Sequence, residues 1–184
     1  MQEESLATWQ ASVEHALAEA TPEVNASSLA TLCTTLRELT CQTDIQARLL
    51  IRAEQARHAY RRWQVAERDG FSAVLIGWPP GFNTPIHDHD GLWGIELVVY
   101  GALHVEEFQL HGGSPGKRRE LDLHRSEAAI FDQPDYAHAC SNPSHDVPAL
   151  SLHVYGGKLA RYGTYPAEGS SAQSVTAVTT VEKL

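Results

Sequence analysis

The sequence predicts an all-β core, a jelly-roll barrel over residues 59–184, with an N-terminal helical extension over residues 1–58 packed against it. Two observations carry this. Apolar residues recur every three or four positions through most of the first sixty residues, the period of a half-buried helix. From Tyr60 the texture changes to short β runs divided by clusters of Gly, Pro, Asn and Asp, and many short strands so spaced argue for a sandwich or barrel. At 184 residues the chain fits a single domain overall. A domain of that size buries roughly 70% of its unfolded surface, so its core needs no disulfides.

The helices come first. Leu6, Trp9, Val13 and Leu17 form one apolar stripe in EESLATWQASVEHALAEA. Thr21-Pro22 signals the start of a second helix or turn, with proline at its first position. Leu29, Leu32, Leu36 and Leu39 make the next stripe, and Cys33 beside it reads as a small buried hydrophobe. Thr43-Asp44 caps a third helix, DIQARLLIRAEQA. Strands are then expected near YRRWQVA, FSAVLIGW, TPIHDH, GIELVVY, ALHVEEFQL, RELDLH, EAAIF, YAHACS and ALSLHVY. The breaks, among them ERDG, PPGFN, HGGSPGK and NPSHD, hold the residues that turns require. An alternating segment in the tail can add an edge strand.

Composition narrows the partners. The formal charge is −9, from 14 basic and 23 acidic residues, which repels phosphate backbones and argues against nucleic acid. The one compact basic cluster, RHAYRR, reads as a solvated helix end at Arg57. No apolar run is long enough for a membrane span, and the acidic start MQEESLATWQ is unlike a signal peptide. With three cysteines in no framework, the expectation is a soluble cytoplasmic protein. Of the ten histidines, His15, His58, His111 and His145 are expected to be structural or solvated.

The chemistry gathers in the barrel. In TPIHDH, His87 and His89 are two residues apart, so on a strand they project side by side. Such a pair is most of a transition-metal site, or simply two half-exposed histidines. In ALSLHVY, alternation puts Ser151, His153 and Tyr155 on one face, either a polar solvent-facing row or an interior row that needs hydrogen-bond partners.

Gly81 six positions before His87, Gly101 twelve after His89, and a later His138 followed by Asn142 resemble the two motifs of the cupin superfamily. That resemblance implies a metal inside a small barrel, held by His87, His89 and His138. The glutamate usual after the second histidine is missing, since Leu92 and Trp93 stand in its place. Three neutral imidazoles leave Fe(II) its full positive charge, a field that favours an anionic thiolate. Glu96 is read first as an outer contact of the metal or pocket, with a fourth ligand or a substrate contact as alternatives.

HDH, the later histidine and SLHVY together look like the cysteine dioxygenase type I family of thiol dioxygenases. The resemblance implies an Fe(II) enzyme that adds O2 to the sulfur of a small thiol carboxylate, with Ser151 orienting His153 and His153 holding Tyr155. The family's Tyr-x-Arg is matched by Tyr60 and Arg62, which implies Arg62 against the substrate carboxylate. Mammalian-type members carry a cysteine that crosslinks to the tyrosine; Gly94 stands there, as is common in bacterial thiol dioxygenases. Family members that prefer 3-mercaptopropionate tend to carry glutamine at that position, so the resemblance implies that Arg62 leans toward cysteine. Arg161 is a candidate second cation, suited to mercaptosuccinate, or else an exposed loop arginine. The rival readings are another cupin oxygenase using His87, His89, Glu96 and His138, and a non-catalytic cupin that binds a small molecule.

Overall fold

The computed structural model describes residues 2–20, 25–169, 173–176 and 181–184. Three helices come first: α1 (Gln2–Ala20), α2 (Ala26–Thr40) and α3 (Thr43–Gln55). Twelve strands follow among the described residues. They are β1 (Arg61–Arg68), β2 (Phe71–Trp78), β3 (Ile86–Asp88), β4 (Gly94–Tyr100), β5 (Ala102–His111), β6 (Ser114–His124), β7 (Ala128–Phe131), β8 (Tyr136–Ser141), β9 (Ala149–Tyr155), β10 (Arg161–Tyr165), β11 (Gln173–Thr176) and β12 (Glu182–Lys183). Among the described residues no helix is long and apolar enough to cross a membrane.

The strands form two sheets, ordered β12-β1-β2-β9-β4-β7 and β11-β10-β3-β8-β5-β6. From β2 to β5 each successive strand crosses to the other sheet, and so do β7, β8 and β9 in turn, which makes the double-sheet jelly roll. The first sheet is buried on both faces. Leu75, Ile95, Leu97, Leu150, Leu152 and Val154 turn outward and pack with Trp9, Val13 and Leu17 of α1, Leu29, Leu32 and Leu36 of α2, and Ile45 and Leu49 of α3. Each fully buried large apolar side chain stabilises the fold by about 1.5–3 kcal/mol. The helices therefore cover the barrel, and one apolar cluster runs through both. The alternate positions, Val74, Ile76, Val98 and Tyr155, face inward between the sheets.

Local signals explain most boundaries. Asn25 caps α2: its side chain accepts from the Ser27 and Ser28 amides at 3.0 and 3.1 Å, and Ser28 Oγ accepts from the Asn25 amide at 2.9 Å. The expected start at Thr21-Pro22 lies outside the described residues. At α3 the cap differs from expectation. Gln42 precedes the helix without a side-chain bond, Thr43 is already helical, and Asp44 places its charge in the first turn, where the dipole favours it. HGGSPGK is mostly strand: Gly112 and Gly113, at φ 60° and 85°, complete the β5–β6 turn alone. Pro115 is tolerated because β6 is an edge strand.

β10 lies in a stretch, GGKLARYGTY, that gave no strand signal. Asp88 of the HDH motif holds it there, accepting from the Gly163 amide at 2.8 Å and the Tyr165 hydroxyl at 2.9 Å.

Candidate metal centre

β3 and β8 pair antiparallel with His87 directly opposite His138, which brings the two rings to 4.6 Å between centroids. His89, just beyond β3, closes the triangle at 5.3 Å from His87 and 4.7 Å from His138. A nitrogen from each lies within 4.8 Å of the other two. The Nε2 atoms of His87 and His138 face each other at 3.2 Å, while Nδ1 of His87 lies 3.0 Å from the Pro85 carbonyl oxygen. His87 is therefore held with Nδ1 protonated and Nε2 free to bind a cation.

His89 is the informative member. It is only 2% exposed, yet neither ring nitrogen has a hydrogen-bond partner among the described residues. Its ring stacks instead on Phe131, 4.8 Å away and tilted 16°, and Phe131 stacks in turn on Tyr136 at 4.4 Å. A buried imidazole without a partner costs about 1–3 kcal/mol for each unsatisfied group, and a metal ion relieves that cost. Three converging imidazoles fit a first-row divalent metal such as Fe(II).

A cavity of about 200 Å³ opens beside the triangle, lined by His87, His138, His153, Tyr155, Arg62 and Tyr60 together with Trp78, Phe82 and Cys140. Tyr60 stacks on Phe82 at 4.7 Å and meets Trp78 edge-on at 5.4 Å, forming an aromatic wall. Ser151, His153 and Tyr155 line up as the alternation requires. Ser151 Oγ is 2.8 Å from His153 Nε2, and the Tyr155 hydroxyl is 3.3 Å from His153 Nδ1. Trp78, which the strand pattern does not mark as functional, donates its indole N–H to Ser151 at 2.8 Å.

Glu96 is fully buried on β4 opposite His153, and its oxygens face His138 Nδ1 at 3.4 Å and His153 Nε2 at 3.5 Å. Burial pushes its carboxyl up. The His153 and His138 rings, with hydrogen bonds from His138 and Cys140, outweigh that and hold it at about 2. Burial pushes Tyr155 up despite the opposing charge of Arg62, so its hydroxyl keeps its proton at neutral pH.

Arg161 does not reach the cavity. Its side chain is 72% exposed and donates to Asp90 at 2.8 Å, outside the cavity wall, so the loop-arginine alternative describes it. Arg61 alternates away from the pocket and pairs with Glu182.

The sequence profile of the family described as cysteine dioxygenase type I matches residues 18–166. The chain belongs to the cysteine dioxygenase type I family. Cysteine dioxygenase type 1 of Rattus norvegicus is 28% identical over 102 residues, 53% of this chain and 51% of the relative. The chain thus spans about half the length of the curated relatives it matches. Among solved structures, TT1209 from Thermus thermophilus is similar at a TM-score of 0.45 and 21% identity, covering 53% of this chain and 83% of that one. A cupin superfamily protein from Desulfitobacterium hafniense is similar at 0.44 and 12%, covering 55% and 80%.

Within this family member, Gly94 lies directly opposite Tyr155. A Cβ on Gly94 would come within 2.3 Å of Phe131 Cζ and 2.9 Å of the Val154 carbonyl oxygen. The Phe131 ring fills the space a side chain at 94 would need. Phe131 was not legible as a site residue, because its place depends on the β4–β7 register that sets Gly94 against it.

Buried imidazoles make the metal-free chain acid-sensitive. Burial lowers His153 from 6.5 to about 4, partly offset by Glu96, and burial and His138 lower His87 to about 3. Each ring takes up a proton more readily in the unfolded chain, so its contribution is complete above pH 6.5 and drains away as the pH falls toward 4 and 3. Urea midpoints of metal-free protein are expected to be level from about pH 8 to 7 and to fall steadily below about 6.5. A midpoint unchanged down to about pH 4.5 would refute this.

Proposed function

We propose that the chain is a non-haem Fe(II) thiol dioxygenase that adds both atoms of O2 to the sulfur of a small thiol carboxylate, giving a sulfinate. The observation that carries this reading is the convergence of His87, His89 and His138 beside a cavity that also holds Arg62 and the Ser151–His153–Tyr155 row. Family membership supports the reaction class.

His87, His89 and His138 would hold the iron, which supplies the redox chemistry that joins O2 to a thiolate. The thiol sulfur is oxidised by four electrons and O2 is reduced by the same four, so no outside reductant enters. Arg62 offers a planar, charged fork to the carboxylate and fixes the direction of the thiol. Orientation of this kind can contribute several powers of ten in rate. Tyr155 keeps its proton and is held by His153, so its hydroxyl stands at the edge of the reacting space, next to the incoming oxygen atoms. Tyr60, Trp78 and Phe82 keep the cavity largely apolar, which strengthens each polar contact within it.

With Arg161 turned to solvent, the described cavity lining contains one arginine, Arg62, and no lysine. One cation suits one carboxylate, so cysteine and 3-mercaptopropionate are favoured over mercaptosuccinate. The test is oxygen uptake by iron-loaded protein with these three thiols, with products identified by mass spectrometry. The expected result is stoichiometric O2 consumption and a product about 32 Da heavier with a monocarboxylate thiol, the mass of two oxygen atoms. Iron-loaded protein that consumes no O2 with any of the three would overturn the reading.

A further inference from the structure

We propose that Glu96 is a positioning residue that couples the metal-holding histidines to the Ser151–His153–Tyr155 row by accepting from His138 and His153 with one carboxylate. The inference rests on the reading of His87, His89 and His138 as a metal centre.

Glu96 is fully buried and lies behind the cavity wall rather than in it. Its Oε2 faces His138 Nδ1 at 3.4 Å, its Oε1 faces His153 Nε2 at 3.5 Å, and the Cys140 thiol donates to Oε1 at 3.3 Å. A buried carboxylate unmatched by donors costs several kcal/mol, so both rings are drawn to present an N–H to it. An ionised carboxylate only accepts, and a neutral imidazole has one N–H and one lone pair. The consequences for the two rings are opposite and complementary.

For His138, a proton on Nδ1 leaves the Nε2 lone pair pointing at His87 Nε2, 3.2 Å away, where a shared cation binds. Tyr136 agrees with this tautomer: its hydroxyl donates to Glu107 Oε1 at 3.4 Å and can accept from His138 Nδ1 at 3.4 Å. For His153, Nε2 lies 2.8 Å from Ser151 Oγ and 3.5 Å from Glu96 Oε1, and a proton on Nε2 facing these two acceptors leaves Nδ1 to accept the Tyr155 hydroxyl at 3.3 Å. Glu96 thus favours the ligand tautomer of His138 and, together with Ser151, the direction in which Tyr155 donates.

Position separates Glu96 from the ligand set. Its carboxylate groups with His138 and Cys140, whereas the His87–His89–His138 cluster closes without it. The carboxylate therefore acts on the metal through His138, as outer-layer acceptors of metal-bound histidines do.

The experiment uses the full-length chain with two variants. Glu96→Gln keeps the shape but has one accepting and one donating end, so it satisfies one ring and turns an N–H against the other. Glu96→Met keeps the volume and removes both acceptors. Co²⁺ affinity, measured by chelator competition, is expected to fall about 10- to 100-fold in Glu96→Gln, the usual cost of losing such a partner. In Zn²⁺-loaded protein, ¹⁵N-histidine spectra are expected to show Nδ1–H on His138 and Nε2–H on His153. Glu96→Gln should reverse or broaden one of the two signals, and Glu96→Met should disturb both while circular dichroism stays native.

A purely structural role would change unfolding midpoints and leave both tautomers as in wild type. Gln and Met variants that bind Co²⁺ within about twofold of wild type, with unchanged tautomers, overturn the role of Glu96 alone. A wild-type chain that binds no Co²⁺ takes down the metal reading as well.

Discussion

Replacing His89 with phenylalanine is expected to leave a folded chain that no longer holds ferrous iron. The ring stack on Phe131 survives, because a phenyl ring can lie where the imidazole lay, 4.8 Å from its neighbour. The two buried nitrogens that lack partners disappear with the substitution. Their removal relieves about 1–3 kcal/mol for each unsatisfied group, offset in part by fitting the slightly larger ring. Metal-free His89→Phe should therefore unfold at a urea midpoint equal to or above that of wild type. Metal binding should respond in the opposite direction. Structural zinc sites with four ligands gain on the order of 10 kcal/mol or more, so one ligand of three is worth at least a few, and Co²⁺ affinity should fall at least about hundredfold. Stability retained with metal lost is the signature of a residue kept for a cation. Retention of Co²⁺ affinity within about fivefold would remove His89 from the centre.

The second large effect is expected at Arg62. Its guanidinium borders the same cavity as His153 and Tyr155, and its charge acts on both of them. Removing one partner of a desolvated charge pair costs about 2–5 kcal/mol, which corresponds to roughly 30- to several-thousand-fold in kcat/KM. Arg62→Gln should show that loss with cysteine or 3-mercaptopropionate. It should act on 2-mercaptoethanol, which has no carboxylate, about as well as wild type does. Arg62→Lys should recover little, since a point charge on a flexible stem does not reproduce the planar fork. Oxygen-electrode rates across the three thiols provide the comparison. An equal loss with the neutral thiol would show that Arg62 supports the fold of the cavity and not the carboxylate.

What could be read from the chain and what could not follows from the range of the interactions involved. β2, β4, β8 and β9 were legible to the residue because turn residues flank each of them. His87, Ser151, His153 and Tyr155 were legible as neighbours because period-two alternation is local. TPIHDH shortened to Ile86–Asp88, since only two of its positions find a partner on β8. β10 was missed because its placement depends on Asp88, 75 residues away in sequence from Gly163. Arg161 failed as a pocket residue for a similar reason: Asp90, at φ 54°, holds it outside. The bridging geometry of Glu96 and the stack of Phe131 on His89 depend on sheet register, which one strand's sequence does not contain.

The Phe131 ring has an evolutionary corollary. Because it occupies the room in front of position 94, any lineage that gained a bulkier residue there would first have to shrink the phenylalanine. That step would strip His89 of its support before the newcomer offered anything in return. Positions 94 and 131 are therefore expected to change in tandem, which a comparison of related sequences would check.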